Sequence, residues 1–445
     1  MIKETPINYQ IVKQKREESG LKSLGNATIR ELVRLVNQIE NATGTKFVRM
    51  EMGVPGVKPP DVGINAEIAA LKRGVASIYP MIEGIPELKC ELKKFVKLFL
   101  NIDVEEENCV PSVGSMQGAM AAFLVANRTD ANKEGTLFID PGFPVQKQQC
   151  KVLGHKYETF DVYDFRGDKL KDKLESYLKK GHISTLLYSN PNNPSWICFS
   201  EKELQIIGDL ANKYDVIVIE DLAYFGMDFR TDYSKPGVSP YQPSVAKYTE
   251  NYILLISGSK AFSYAGQRVG AVVMSPKLYN RSYPDLKRYF SSDKLGYSFI
   301  YGALYSLSSG VCHSAQFGLA AMLKAANEGE FDFVHDVKIY GERAKAMKKI
   351  FIDNGFKIVY DKDEEQPLAD GFYFTFAYPG FTGEELLEKL IYYGICAIAL
   401  NITGSERHEG LRACTSQTNE DQFSDLEKRL KLFNEHYKNI KQVSN

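Results

Sequence analysis

The chain has 445 residues, 44% hydrophobic and 25% charged, with 55 Lys plus Arg against 56 Asp plus Glu and a net charge of −1. This is ordinary globular composition, long enough for a large core or for two to four domains at about 100–200 residues each. Its 12% aromatic content excludes a globally disordered class, and its charge balance gives no footprint for nucleic acid and no bias toward an anionic membrane.

The first residues, MIKETPINYQ, carry Glu4 and no apolar stretch, so no secretory signal is expected. Residues 27–41 place Ile29, Leu32, Val33, Val36 and Ile39 at helical spacing. GVPGVKPP (53–60) follows and must be loop. Helices are then expected near 85–99, 115–127, 142–152 and 200–213. They alternate with short apolar runs at 110–113, 136–139, 184–189, 216–220, 253–257 and 269–274, which read as strands. That alternation predicts an α/β fold with a mainly parallel sheet covered by helices on both faces.

From Leu295 to Leu323 there is no Asp, Glu, Lys or Arg, but five serines, four glycines, His313 and Gln316 make the segment too polar to span a membrane. It is expected to be buried between domains or subunits, with Tyr297, Tyr301 and Tyr305 on one helical face. Beyond about residue 330, charged helices (331–354, 382–393, 420–438) flank apolar runs at 371–377 and 395–400, which reads as a separate α+β layer. Seven cysteines without CxxC spacing read as reduced thiols in a cytoplasmic protein, and six histidines without HxxxH give no metal pattern.

Ligands of parallel sheets bind at the carboxyl ends of the strands, so the loops there are where chemistry is expected. In PSVGSMQGAM (111–120), Gly114, Ser115 and Met116 open a helix whose N–H groups suit an anion, or simply cap it. In YSNPNNPSW (188–196), Asn193 presents an amide to a ligand oxygen, or shapes a turn. VIVIEDLAYFGM (216–227) ends a buried strand in Glu220–Asp221 with Tyr224 beyond. A carboxylate there holds a protonated ring nitrogen or a metal, or caps a helix, and no further metal ligands stand nearby.

ILLISGSKAFSYAGQRVGAVVM (253–274) groups Ser257, Ser259, Lys260 and Arg268. Two hydroxyls and a guanidinium suit a phosphate dianion. A lysine among cations has its pKa lowered, as a Schiff-base lysine requires. Pyridoxal phosphate, with its aldehyde, phosphate, phenolic oxygen and pyridine nitrogen, unites the four loops.

These motifs stand in the order found in class I/II (fold type I) aminotransferases, the aspartate aminotransferase superfamily, which the chain resembles from about Gly53 to Arg412. MGVP (52–55) is similar to the family's substrate loop at Gly53, and IYPMIEGIPELK (78–89) to the segment whose tyrosine, here Tyr79, reaches the neighbouring subunit's cofactor phosphate. DPGFPVQ (140–146) places Phe143 where the family stacks a ring on the pyridine, NPNNP (190–194) supplies Asn193, and GLRAC (410–414) places Arg412 where the family grips the substrate carboxylate.

The resemblance implies transamination between an L-amino acid and a 2-oxo acid through a Lys260 Schiff base, with Asp221 and Tyr224 as catalytic partners. It also implies a homodimer with active sites at the subunit interface. The implied organisation is an N-terminal segment (1–60) joining a small domain (326–445), with a large cofactor-binding domain at 61–325. Carbon–sulfur β-elimination on the same scaffold and a non-catalytic ligand-binding module stand as alternatives. One departure is Ser195-Trp196 where the family usually has Thr-Gly; this single tryptophan narrows the substrate pocket or packs behind the loop.

Overall fold

Seven short runs pair into one sheet: β1 (Cys109–Ser112), β2 (Gly135–Asp140), β3 (Lys156–Asp161), β4 (Ile183–Ser189), β5 (Ile217–Leu222), β6 (Tyr252–Ser257) and β7 (Gly270–Met274). They are seen in a computed structural model that describes residues 4–439. The spatial order is β1-β7-β6-β5-β4-β2-β3. β7 runs antiparallel to β1 and β6, and every other pair is parallel. All strands except β3 are buried along their whole length, which explains their continuous apolar character. β3, KYETFD, lies at the sheet edge and is largely half-buried, so its polar sequence gives no apolar run to read.

The helices Pro86–Leu100, Gly114–Ala126, Pro144–Leu153 and Glu201–Tyr214 lie close to their expected places. Proline opens the first and third, where its fixed φ is already helical. Ser200 and Glu203 close a capping box on the fourth. Asp61–Lys72, Lys169–Leu178 and His313–Asn327 are further helices. The tyrosine-rich stretch is an α-turn at Leu295–Tyr297, a π-helix at Ser298–Leu304 and an α-turn at Tyr305–Ser308. Tyr297 and Tyr301 touch with ring centroids 4.8 Å apart. The three tyrosines are 45%, 42% and 55% exposed, so the stripe points away from this chain's own core. Among the described residues no helix is long and apolar enough to cross a membrane.

The chain divides into two compact units. One comprises Val57–Asn192 and Cys198–Val337; the other is drawn from the chain up to Gly56, from Asn193–Ile197 and from Lys338 onward. The division at 337 has a packing cause. The expected helix 331–354 breaks into Phe333–Val337 and Ile339–Asp353, and Phe333 sits in an aromatic cluster of the sheet-bearing unit with Phe95, Phe99, Phe225 and Phe262 at centroid distances of 5.6, 5.3, 6.1 and 5.3 Å. The second unit has a four-stranded antiparallel sheet in the order Ile398–Ala399, Leu411–Cys414, Tyr373–Ala377, Lys357–Ile358. Its core joins Leu32, Leu35, Val36 and Ile39 of helix Ile29–Thr43 to Phe351, Phe374, Phe376, Leu386 and Phe433.

Candidate active site

The sheet-bearing unit gathers most of the expected residues at adjoining strand ends. Ser257, the last residue of β6, lies opposite Gly270, and Gly270 lies opposite Ser112 at the end of β1. A Cβ on Gly270 would sit 3.4 Å from both Gly114 C and Ser115 N, so the start of helix Gly114–Ala126 presses on this rung. Gly114 has φ +65°, and a Cβ there would lie 2.6 Å from Arg268 Nη2. The glycine therefore serves two needs, a left-handed turn and close approach of the guanidinium. Arg268 donates from Nη1 to Ala265 O at 2.8 Å, and Ser259 N donates to Ser257 Oγ at 3.1 Å. The start of helix Gly114–Ala126, Ser257 and the Arg268 guanidinium thus lie near one another, and half-buried Lys260 stands in the loop between Ser257 and Arg268 in sequence.

Asp221, at the carboxyl end of β5, is 6% exposed. Its Oδ2 accepts from Gln146 Nε2 at 2.8 Å and its Oδ1 from Ala223 N at 3.1 Å. Both donors are neutral. Burial, with no charge to offset it, pushes the carboxyl up to about 6. Because that value lies above the ordinary one of about 4, the ionised group costs stability as pH rises from about 4 through 6, and a cation bound beside it would restore that stability.

Gln146 was not among the residues singled out from sequence. It lies one helical turn beyond Phe143, the cap of helix Pro144–Leu153, so one helix delivers both side chains. The same helix braces the Gly114 turn, as Gln149 Nε2 donates to Met116 O at 2.8 Å. Tyr224 is 4% exposed, in the turn just beyond β5.

Glu220 alternates to the opposite face of β5. It accepts from Tyr188 Oη at 3.0 Å, from Val245 N at 3.2 Å and from Ser244 Oγ, and burial pushes it up to about 7. Tyr79 is not drawn into the cluster; it stands 89% exposed.

The second unit holds Arg412, 2% exposed on strand Leu411–Cys414 opposite Thr375. Nη1 donates to Asn193 Oδ1 at 3.2 Å and Nη2 to Glu51 O at 2.6 Å. The guanidinium lies 4.4 Å from the centroid of the Tyr373 ring. Nε is buried with no hydrogen-bond partner among the described residues, a donor left over for a ligand. A Cβ on Gly53 would fall 2.0 Å from Tyr373 Oη, so that loop too closes on the tyrosine. Trp196 is fully buried, edge-on to Tyr373 at 6.1 Å, and a Cβ on Gly371 would lie 2.0 Å from its Cε2. Its φ of +68° is the left-handed conformation in which glycine is at ease. The indole therefore packs behind the loop, against the ring that faces Arg412. Lys287 and Arg288 pair with Asp293 and Asp285 at 3.3 and 3.9 Å.

These residues fit pyridoxal phosphate. A buried carboxylate with neutral donors suits a protonated ring nitrogen, and the Gly114–Ser257–Arg268 cradle suits a phosphate. Together the fold and these groups describe an enzyme of amino-group chemistry.

Comparison with known proteins agrees. The family "Aminotransferase class I and II" matches residues 45–430. The chain is 24% identical to a probable aspartate aminotransferase of Methanocaldococcus jannaschii over 358 residues, 80% of this chain and 85% of that protein. It is 26% identical to an LL-diaminopimelate aminotransferase of Natranaerobius thermophilus over 335 residues, 73% and 77% of the two chains. Among solved structures, alanine aminotransferase from Pyrococcus furiosus superposes with a TM-score of 0.73 at 18% identity, covering 94% of this chain and 99% of that one. Aspartate aminotransferase from Thermus thermophilus with maleate gives 0.72 at 16% identity, covering 95% and 98%.

The chain belongs to the class I and II aminotransferase family and has its fold. It is an enzyme that transfers nitrogenous groups by transamination, in a family that works with pyridoxal phosphate on small-molecule amino and oxo acids.

Proposed function

We propose that this chain binds pyridoxal 5′-phosphate through Lys260 and uses it to move an amino group from an L-amino acid to a 2-oxo acid. The observation that carries the reading is Asp221: a buried carboxylate with neutral donors, in the same unit as a lysine whose loop also carries Ser257, Ser259 and Arg268. When bound, the cofactor supplies an aldehyde for the amino group and a cationic ring that accepts charge from the substrate α-carbon.

The chain's own residues do the rest. Lys260 Nζ would hold the cofactor's aldehyde carbon, and as a free amine it would take and return the substrate α-proton. Asp221 keeps the proton on the ring nitrogen, and Gln146 orients that carboxylate. The N–H groups of Gly114, Ser115 and Met116, the hydroxyls of Ser257 and Ser259, and Arg268 take the phosphate. Phe143 covers the ring face, and Tyr224 and Asn193 bind the phenolic oxygen. Arg412 takes the substrate carboxylate, with Gly53 beside it. We assign cofactor binding, Asn193 apart, to the sheet-bearing unit on these grounds. The names of the relatives favour transfer over carbon–sulfur elimination or a non-catalytic role.

The test is product analysis with the full chain and added cofactor. The expected result is a new amino acid that appears when donor and 2-oxo acid are both present. Pyruvate, ammonia and thiol from cystathionine without an acceptor would assign a lyase instead.

We further propose a cytoplasmic homodimer in which Tyr79 serves the neighbouring subunit. Free thiols at all seven cysteines suit a reducing compartment. Ile78, Tyr79 and Met81 are 59%, 89% and 62% exposed. His313 Nδ1 ties their turn to helix His313–Asn327 through Ile78 O at 3.1 Å. Exposed apolar residues of this kind suit a protein partner. Sedimentation is expected to give twice 50.1 kDa; a fully active monomer would remove this claim.

A further inference from the structure

The loop from Lys260 to Arg268 places two non-glycine residues, Ser263 and Arg268, in the left-handed region at φ +49° and +52°. Such conformations are sparsely populated, so something must hold them. The holding group comes from far along the chain. Glu67, 7% exposed on helix Asp61–Lys72, accepts from Gln267 Nε2 at 2.9 Å, from Ser314 Oγ at 3.1 Å and from Tyr264 Oη. One carboxylate thereby ties the loop to helix Asp61–Lys72 and to helix His313–Asn327.

Tyr264 is itself locked. Its N–H donates to Gly258 O at 3.0 Å, and its hydroxyl leaves no room for a side chain at Gly318, where a Cβ would lie 2.3 Å away. Burial and the adjacent Glu67 push its phenol well above the usual range, so it stays a donor. Gln267 N donates to Tyr264 O at 3.3 Å, and Arg268 is the next residue.

We propose that Glu67 is a positioning residue for phosphate recognition. By fixing Tyr264 and Gln267 it sets the backbone from which Arg268 reaches Gly114, and so sets how strongly the cradle holds a phosphate. This rests on the reading of the Lys260 loop as the cofactor site. A merely structural carboxylate would affect every ligand alike. A positioning one affects the phosphate-bearing ligand selectively.

The experiment compares cofactor-free full-length protein with Glu67→Ala, Glu67→Gln and Gln267→Ala, titrated with pyridoxal 5′-phosphate and with pyridoxal, which lacks the phosphate. Binding is read from the visible band, and inorganic phosphate serves as competitor. Glu67→Ala is expected to lower the ratio of the two affinities about ten-fold, the size of one charge-assisted hydrogen bond, with pyridoxal itself changed less than about two-fold. Glu67→Gln keeps an acceptor and restores most of the ratio. Gln267→Ala, at an exposed position, lowers it in the same direction and serves should Glu67→Ala not fold. Inorganic phosphate displaces pyridoxal 5′-phosphate from Glu67→Ala with a weaker inhibition constant than from the parent. An unchanged ratio in both alanine variants, or equal loss for both ligands, overturns the role of Glu67. Absence of a band in the parent protein with either ligand overturns the cofactor reading beneath it.

Discussion

Replacing Lys260 with alanine is expected to lower kcat by at least about 10²–10⁴-fold, the range that a positioned proton-transfer group supplies. The loss should exceed that of any other single change in the loop, because this one amine both holds the cofactor and moves the α-proton. Its setting explains the dual use. Lys260 is half-buried in the loop that carries Ser257, Ser259 and Arg268, and a lysine attacks a carbonyl as its neutral amine. The check is steady-state kinetics at saturating cofactor, with circular dichroism confirming the fold. Full turnover in the variant would remove Lys260 from the chemistry.

Asp221→Asn is expected to leave the cofactor bound but to cut turnover by about two to four orders of magnitude. The carboxylate is buried with neutral donors alone, so a cationic ring nitrogen placed there gains a fully desolvated partner. Breaking such a pair costs about 3–5 kcal/mol. If that falls on the barrier, every 1.36 kcal/mol is a factor of about ten in rate. Gln146 would still donate to the new amide oxygen, so the loss is of charge rather than of place. Cofactor affinity, measured by equilibrium dialysis, should fall far less than kcat. An unchanged kcat would count against the ring-nitrogen role.

Buried β-branched runs made β4 through β7 readable, because a parallel strand covered on both faces has no polar alternation. β3 was hidden by its edge position, since KYETFD offers too few apolar residues. Helix His313–Asn327, rich in alanine and glycine and packed on most sides, lacks the one-sided apolar stripe that announces a surface helix. The break at Lys338 depends on Phe333 finding four aromatic partners distant in sequence, which no local pattern reports.

At the site, Asp221, Lys260 and Arg268 were legible because each stands within three residues of a strand end, in a motif whose residue types suit one chemistry. Gln146 was not, because a neutral amide gives no charge signal and its partner lies 75 residues away. Glu67 was hidden more thoroughly: Tyr264 and Gln267 are 197 and 200 residues distant. Trp196 was legible as a departure, but its packing needed the strand register that sets Tyr373 beside Arg412.

The central claim is that Lys260 carries the cofactor. Borohydride treatment of the purified protein with pyridoxal 5′-phosphate, followed by peptide mass analysis, tests it most directly. The account predicts a visible band that vanishes on reduction and a pyridoxyl-phosphate adduct on Lys260. Titration with amino acids before reduction should bleach the band and spare the lysine. An adduct on a different lysine, or no band at all, would contradict the account.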